Sequence, residues 1–418
     1  MNDPVALLRA LPMEVFETPR PGDAWARCPL ATAGDTVLIR TVAASIAAPK
    51  AQIDSSFVLH APLELSARAW LLPHVPPYRR EAARRRIAEI AARYAAEGPE
   101  IDSKPKAYRS DDAALSALSM ALRGGDADAA DGALLFLTPR IPIERFRALL
   151  AEPILALLGG AAHAPILLML LEAMPGRLPE YCALLRSPLR ALAREADQRL
   201  TWMKAVPRPD GALAPALFDC LAAPPRVATS SNSIAPTMLA IERDGYAARI
   251  LAAATCGMTV PTARRILLRV AALSMLLDDP AHAPYGWTHC FTLPQAILSL
   301  EDAASDVTRA VRIAATHSLG FRATLGSVRL QHPFSPQLQT GSMASLPEPT
   351  AAAAAVINAG AAQHASIRTQ LVERAAIHGD AHLVKYTVAC LVAADRDPQE
   401  AALYLAAAAY LGAWWDSQ

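Results

Sequence analysis

The chain has 418 residues, 53% of them hydrophobic and 19% charged, with 40 Lys and Arg against 39 Asp and Glu. A net charge of +1 excludes a general nucleic-acid binder, which needs a basic excess. That much apolar material excludes a disordered chain and supplies one large core or two medium ones. Aromatic residues are scarce, so Ala and Leu carry the volume. Both lead the helix-propensity ranking, and an all-α fold is expected.

Residues 1–50 contain Pro, Gly and Thr and read as an irregular N-terminal arm, with DTVLIRTV (35–42) as its best strand. The first residues, MNDPVALLRALPMEVFE, lack the basic region and apolar run of a signal peptide. From 51 onward the pattern is helical. Ser55 and Ser56 are candidate N-caps for the segment that follows. REAARRRIAEIAARYAAEG (80–98) is amphipathic, with Ile87, Ile90, Ala91 and Tyr94 on one stripe and Gly98 as its stop. Its arginines read as a solvated face. A polar loop (99–112) leads to helices at 111–123 and 127–137, split by Gly124–Gly125, and to IPIERFRALLAEPILALL (141–158) with a kink at Pro153. Residues 163–174 read as a buried helix and 187–204 as an amphipathic one.

A Pro- and Ser-rich stretch (205–236) divides the helical domain, 51–418, into two candidate halves. Helices are expected at 237–255, 261–277, 292–303 and 304–320, then at 350–377, 380–394 and 398–415, with a second irregular stretch at 326–349. No fixed-period repeat is present, which disfavours a solenoid. The expected architecture is a large single-domain bundle of about a dozen helices. The apolar runs near 149–174 and 401–415 are too short or too broken to span a membrane. The last helix, with Trp414 and Trp415, offers a face to a second copy of the chain. The six cysteines are scattered without a CxxC pair, and they read as small buried hydrophobes of a reducing cytoplasm.

Histidines are the main functional lead. His60, His163, His289, His317 and His382 all lie in long apolar stretches, where an unpaired imidazole is costly. His60 and His163 are each followed by Ala and Pro, and Asp380 is placed to cap the helix of His382. A helix N-terminus disfavours the imidazolium and keeps the ring able to accept a proton or bind a metal. His60 and Glu64 are one turn apart, so His60, Glu64 and His382 form a candidate ligand set for a transition metal such as iron. His60, His163, His289 and His382 are the candidate catalytic imidazoles of one apolar cavity. Lys385, one turn beyond His382 with Tyr386 beside it, is a candidate cation there, although snorkelling would also explain a lysine in such a helix. His74, His282, His332 and His364 read as surface residues.

Four segments, HAPLELSARAWLL (60–72), GAAHAPILLMLLEAM (160–174), GWTHCFTLPQAILSL (286–300) and GDAHLVKYTVACLVAA (379–394), resemble in order and spacing the histidine-bearing segments of questin oxidase-like proteins. His60, His163, His289 and the group Asp380, His382 and Lys385 fall at the matching positions. The resemblance implies an oxidoreductase of secondary metabolism, a monooxygenase opening aromatic polyketide rings by Baeyer–Villiger-type chemistry, with NADPH as reductant. No GxGxxG follows a strand, so no dinucleotide-binding fold is legible. Two other readings stand beside it: a metal-dependent enzyme that is not an oxygenase, and a helical scaffold or carrier with no chemistry.

Overall fold

In a computed structural model, the chain is described over residues 3–17, 20–51, 55–155, 157–158, 163–200, 216–223, 227, 234–244, 246–255, 258–300, 307–331 and 348–418. The fold is all-α. Among the described residues the only β pairings are two isolated bridges, Lys50 with Glu100 and Leu157 with Arg199. The chain divides into two compact units. The first is Met1–Arg199 with Ala376–Val384, and the second is Leu200–Ala375 with Lys385–Gln418.

The first unit holds α1 (Pro4–Arg9), α2 (Glu14–Glu17), α3 (Pro29–Thr32), α4 (Asp35–Ile46), α5 (Ser56–Leu71), α6 (Pro77–Ala96), α7 (Asp111–Gly124), α8 (Ala127–Leu137), α9 (Ile143–Leu155), α10 (His163–Leu170) and α11 (Arg186–Arg194). The described part of the first 50 residues, expected as an irregular arm, therefore contains four helices joined by turns. The expected strand at 35–42 lies inside α4. Its β-branched residues favour a strand locally, but Leu38, Ile39, Val42, Ala43 and Ile46 recur at helical spacing and are all buried. Packing of α4 on α6, α1 and α5 decides the outcome.

The arginines of α6 are a second correction. Arg84 and Arg85 are buried rather than solvated. Arg84 pairs with Asp35 and donates to the carbonyls of Leu30 (2.9 Å) and Ala33 (2.6 Å). Arg85 donates to Asp23 (2.6 Å) and the Val15 carbonyl (2.7 Å). They satisfy the carboxylates and open carbonyls of the short N-terminal helices, groups that would otherwise be buried without donors. The apolar stripe is as expected, with Ile87, Ile90, Ala91 and Tyr94 buried. Gly98 has φ +91°, which suits a glycine after a helix end.

The second unit holds α12 (Leu217–Ala222), α13 (Ile234–Arg243), α14 (Tyr246–Thr255), α15 (Val260–Leu277), α16 (Thr288–Ser299), α17 (Val307–Leu325), α18 (Pro349–Asn358), most of α19 (His364–Ile377), most of α20 (Ala381–Arg396) and α21 (Ala401–Asp416). The single helices expected over 237–255 and 350–377 are each two, and the expected loop at 205–236 contains α12. The helix expected over 187–204 ends at Arg194, and 201–204 lie outside the described residues. Helix α17 packs against α13, α14, α15 and α16, and α21 against α15 and α18. The apolar residues Leu403–Ala413 of α21 are thus covered within the unit, so the argument from them for a second copy of the chain lapses.

Arg322 on α17 is fully buried. It pairs with Asp278 and donates to Ser274 Oγ (3.2 Å) and to the carbonyls of Leu221 (3.2 Å), Ala222 (3.1 Å) and Val328 (2.7 Å). No helix among the described residues is long and apolar enough to cross a membrane. The described cysteines, Cys28, Cys182, Cys220, Cys290 and Cys390, are buried and form no disulfide among the described residues, and Cys256 lies outside them. Burial pushes the Cys182 and Cys290 thiols up to about 12, which leaves them unreactive.

Candidate functional site: a buried imidazole cluster

Ser55 caps α5, its Oγ accepting the Val58 amide (3.4 Å). The helix thus starts four residues before His60, and Pro62 lies inside it rather than in its first turn. His60 is consequently in the second turn, not at the N-terminus as its Pro suggested. Its Nδ1 is 2.6 Å from the Ser56 carbonyl oxygen. A carbonyl can only accept, so Nδ1 carries the proton and Nε2 the lone pair. His163 is the first residue of α10 and His382 the second of α20, as expected.

The first unit brings these three rings together. The centroid of His60 is 4.5 Å from that of His163 and 4.5 Å from that of His382. All three are buried. At that spacing, charging two rings at once costs about 4 kcal/mol even at an effective dielectric near 20. The cluster therefore disfavours two imidazolium rings at once, which leaves neutral rings as proton acceptors and metal ligands.

Asp380, expected as a cap and as part of the resemblance, also faces the His382 ring, which the sequence did not indicate. Its Oδ1 accepts the His382 amide (2.7 Å) and also faces His382 Nδ1 (3.2 Å). Burial acts against the Asp380 carboxylate, but the His382 ring and the amides of His382 and Leu383 outweigh it. Its pKa lies below the ordinary carboxylate value. A carboxylate holding Nδ1–H leaves Nε2 as the basic nitrogen, the arrangement that tunes histidine bases and ligands.

Glu64, expected as a ligand beside His60, is the counter-ion of Arg68. Its Oε1 accepts Nε (2.8 Å) and Nη2 (2.6 Å) of that residue. Burial pushes the Glu64 carboxyl pKa up, against the pull of Arg68. Arg68 also donates to the carbonyls of Ala376 (2.7 Å) and His378 (2.5 Å). No sequence signal connects these residues, which are more than 300 positions apart.

In the second unit, His289 follows a π-helical turn, Ala283–Trp287, which runs straight into α16. It is therefore not at a free helix N-terminus. Its Nδ1 lies 2.5 Å from the Tyr285 carbonyl oxygen, so this ring too keeps its lone pair on Nε2. π-Helical turns are frequent at functional sites. This one is tight, since a Cβ on Gly286 would lie 2.4 Å from Leu325 Cδ1. Lys385 is buried at 3% exposure, which excludes the snorkelling reading. Tyr386 is fully buried with its ring 5.3 Å from Phe291, and burial raises its pKa well above the usual phenol. His317 is buried in α17 and burial alone lowers its pKa to about 4. Of the histidines expected at the surface, His74 is exposed, His282 and His364 are half-buried, and His332 lies outside the described residues.

No protein-family model matches the chain, and neither a curated protein nor a solved structure matches it.

Proposed function

We propose that the chain is an oxidoreductase in which His60 and His163 of the first unit hold a transition-metal ion such as iron, and in which His382 acts as a base on an aromatic, polyketide-like substrate. The observation that carries the proposal is the shared chemistry of the rings. His60 donates Nδ1–H to a backbone carbonyl and His382 to Asp380, so each keeps a basic Nε2. Imidazole sets suit iron, copper and zinc. The ion would supply Lewis acidity and, for iron, one-electron chemistry with dioxygen.

The protein's own residues do the rest. His382 takes the phenolic proton of the substrate, and Asp380 stabilises the imidazolium that results. The electron-rich phenolate is then the group oxidised. The resemblance to questin oxidase-like proteins supports a Baeyer–Villiger-type oxygenation and supplies NADPH as the reductant.

The test combines metal analysis with turnover. Protein purified without added metal should carry near-stoichiometric iron or another transition metal. It should consume oxygen and NADPH with hydroxylated anthraquinones, and His60→Ala and His163→Ala should abolish both while remaining folded. A metal-free wild-type protein with no oxygen uptake would overturn the reading. A second reading, a helical carrier without chemistry, draws on the same bonds, since a satisfied core histidine makes them too. It requires wild-type protein that binds an aromatic ligand and leaves it unchanged.

A further inference from the structure

We infer that Arg68 is a positioning residue: it clamps the 376–382 segment onto α5 and so sets His382 against His60. The inference rests on the reading that His382 is the base. The last carbonyls of a helix have no donors within it and need outside partners. At the end of α19, three consecutive carbonyls receive them from two arginines of the first unit. Arg68 serves Ala376 (2.7 Å) and His378 (2.5 Å), and Arg86 serves Ile377 (2.9 Å).

Beyond that point the chain of contacts continues to the cluster. The His378 ring Nδ1 accepts the Asp380 amide (3.0 Å). Asp380 then accepts the amide and ring nitrogens of His382. The His382 ring lies 4.5 Å from that of His60, two turns before Arg68 on the same helix. The circuit therefore starts and ends on α5.

The guanidinium is aimed rather than merely buried. Glu64 engages Nε and Nη2, leaving Nη1 and the second proton of Nη2 directed at the two carbonyls. Arg86 already caps the helix end, at half-exposed depth. A second arginine, buried at a desolvation cost, would add little if anchoring alone were needed. What Arg68 adds is the bond to His378, the residue whose ring orients Asp380. A base displaced by about 1 Å loses on the order of 100-fold in rate.

The test uses the full chain with 15N-labelled histidine, the His382 ring signals being assigned with His382→Gln. In Arg68→Met, the His382 Nδ1 proton signal should shift and should exchange at least tenfold faster. Arg68→Lys should not restore either property, because an ammonium cannot reach both carbonyls as a fork. Arg86→Met should lower the melting temperature and leave both His382 signals in place. Should Arg68→Met fail to fold, Glu64→Gln loosens the aim at constant volume and should move both signals in the same direction by a smaller amount. A folded Arg68→Met with unchanged His382 signals, an unchanged folded Glu64→Gln where Arg68→Met does not fold, or Arg86→Met matching Arg68→Met would overturn the inference. These signals require neither metal nor substrate, so the functional reading can fail in turnover assays while the clamp stands.

Discussion

One oxygen of Asp380 serves both ends of His382: Oδ1 takes the backbone amide at 2.7 Å and faces ring Nδ1 at 3.2 Å. Helix capping and ring orientation are thereby fused in a single carboxylate. Asp380→Asn separates them, because Asn is as good a cap as Asp but carries no charge for an imidazolium. Stability should change by less than about 1 kcal/mol, whereas turnover should fall on the order of 100-fold. Chemical denaturation and initial rates on the same preparation check the split.

Metal content should follow the imidazoles. His60→Ala and His163→Ala should each lower the metal bound per chain by more than half, measured by elemental analysis after dialysis. His74→Ala, exposed and stacked on Trp70 at 4.9 Å, should retain the wild-type content.

The buried Arg322–Asp278 pair should dominate the stability of the second unit. Asp278→Asn leaves a fully buried guanidinium without its counter-ion, a loss of about 3–5 kcal/mol. For a unit of this size the melting temperature should fall by roughly 10 °C. Calorimetry resolves a shift of that size, and a fall below about 2 °C would contradict the assignment.

His317 should make the protein acid-labile. Its pKa is about 4 in the fold against 6.5 for an ordinary imidazole. The unfolded chain therefore binds the proton first. Stability from this residue is complete above pH 6.5, declines as pH falls towards 4, and changes no further below that. The loss amounts to about 3 kcal/mol. His317→Gln should flatten this part of the profile, measured as urea midpoints between pH 7 and 4.

Helical periodicity made most of the fold legible, as in the buried stripe of α6 and the Ser55 cap of α5. It failed at 35–42, where β-branched residues favour a strand locally and only packing on α6, α1 and α5 selects the helix. It failed again at Arg84 and Arg85, because their partners Asp35 and Asp23 lie some 50 to 60 residues upstream. Imidazoles in apolar surroundings were visible, since few other residues are so costly to bury there. Their orienting groups were not. The Ser56 and Tyr285 carbonyls are backbone, and the bond from Arg68 to Ala376 spans 308 positions.

The π-helical turn ahead of His289 carries an evolutionary consequence. A methyl group at position 286 would meet Cδ1, the far end of the half-buried Leu325 side chain, which has only to turn aside. An alanine there is therefore accommodated by a shifted Leu325, whereas a larger side chain calls for a smaller residue at 325. Relatives that keep the turn should accordingly show small residues at 286.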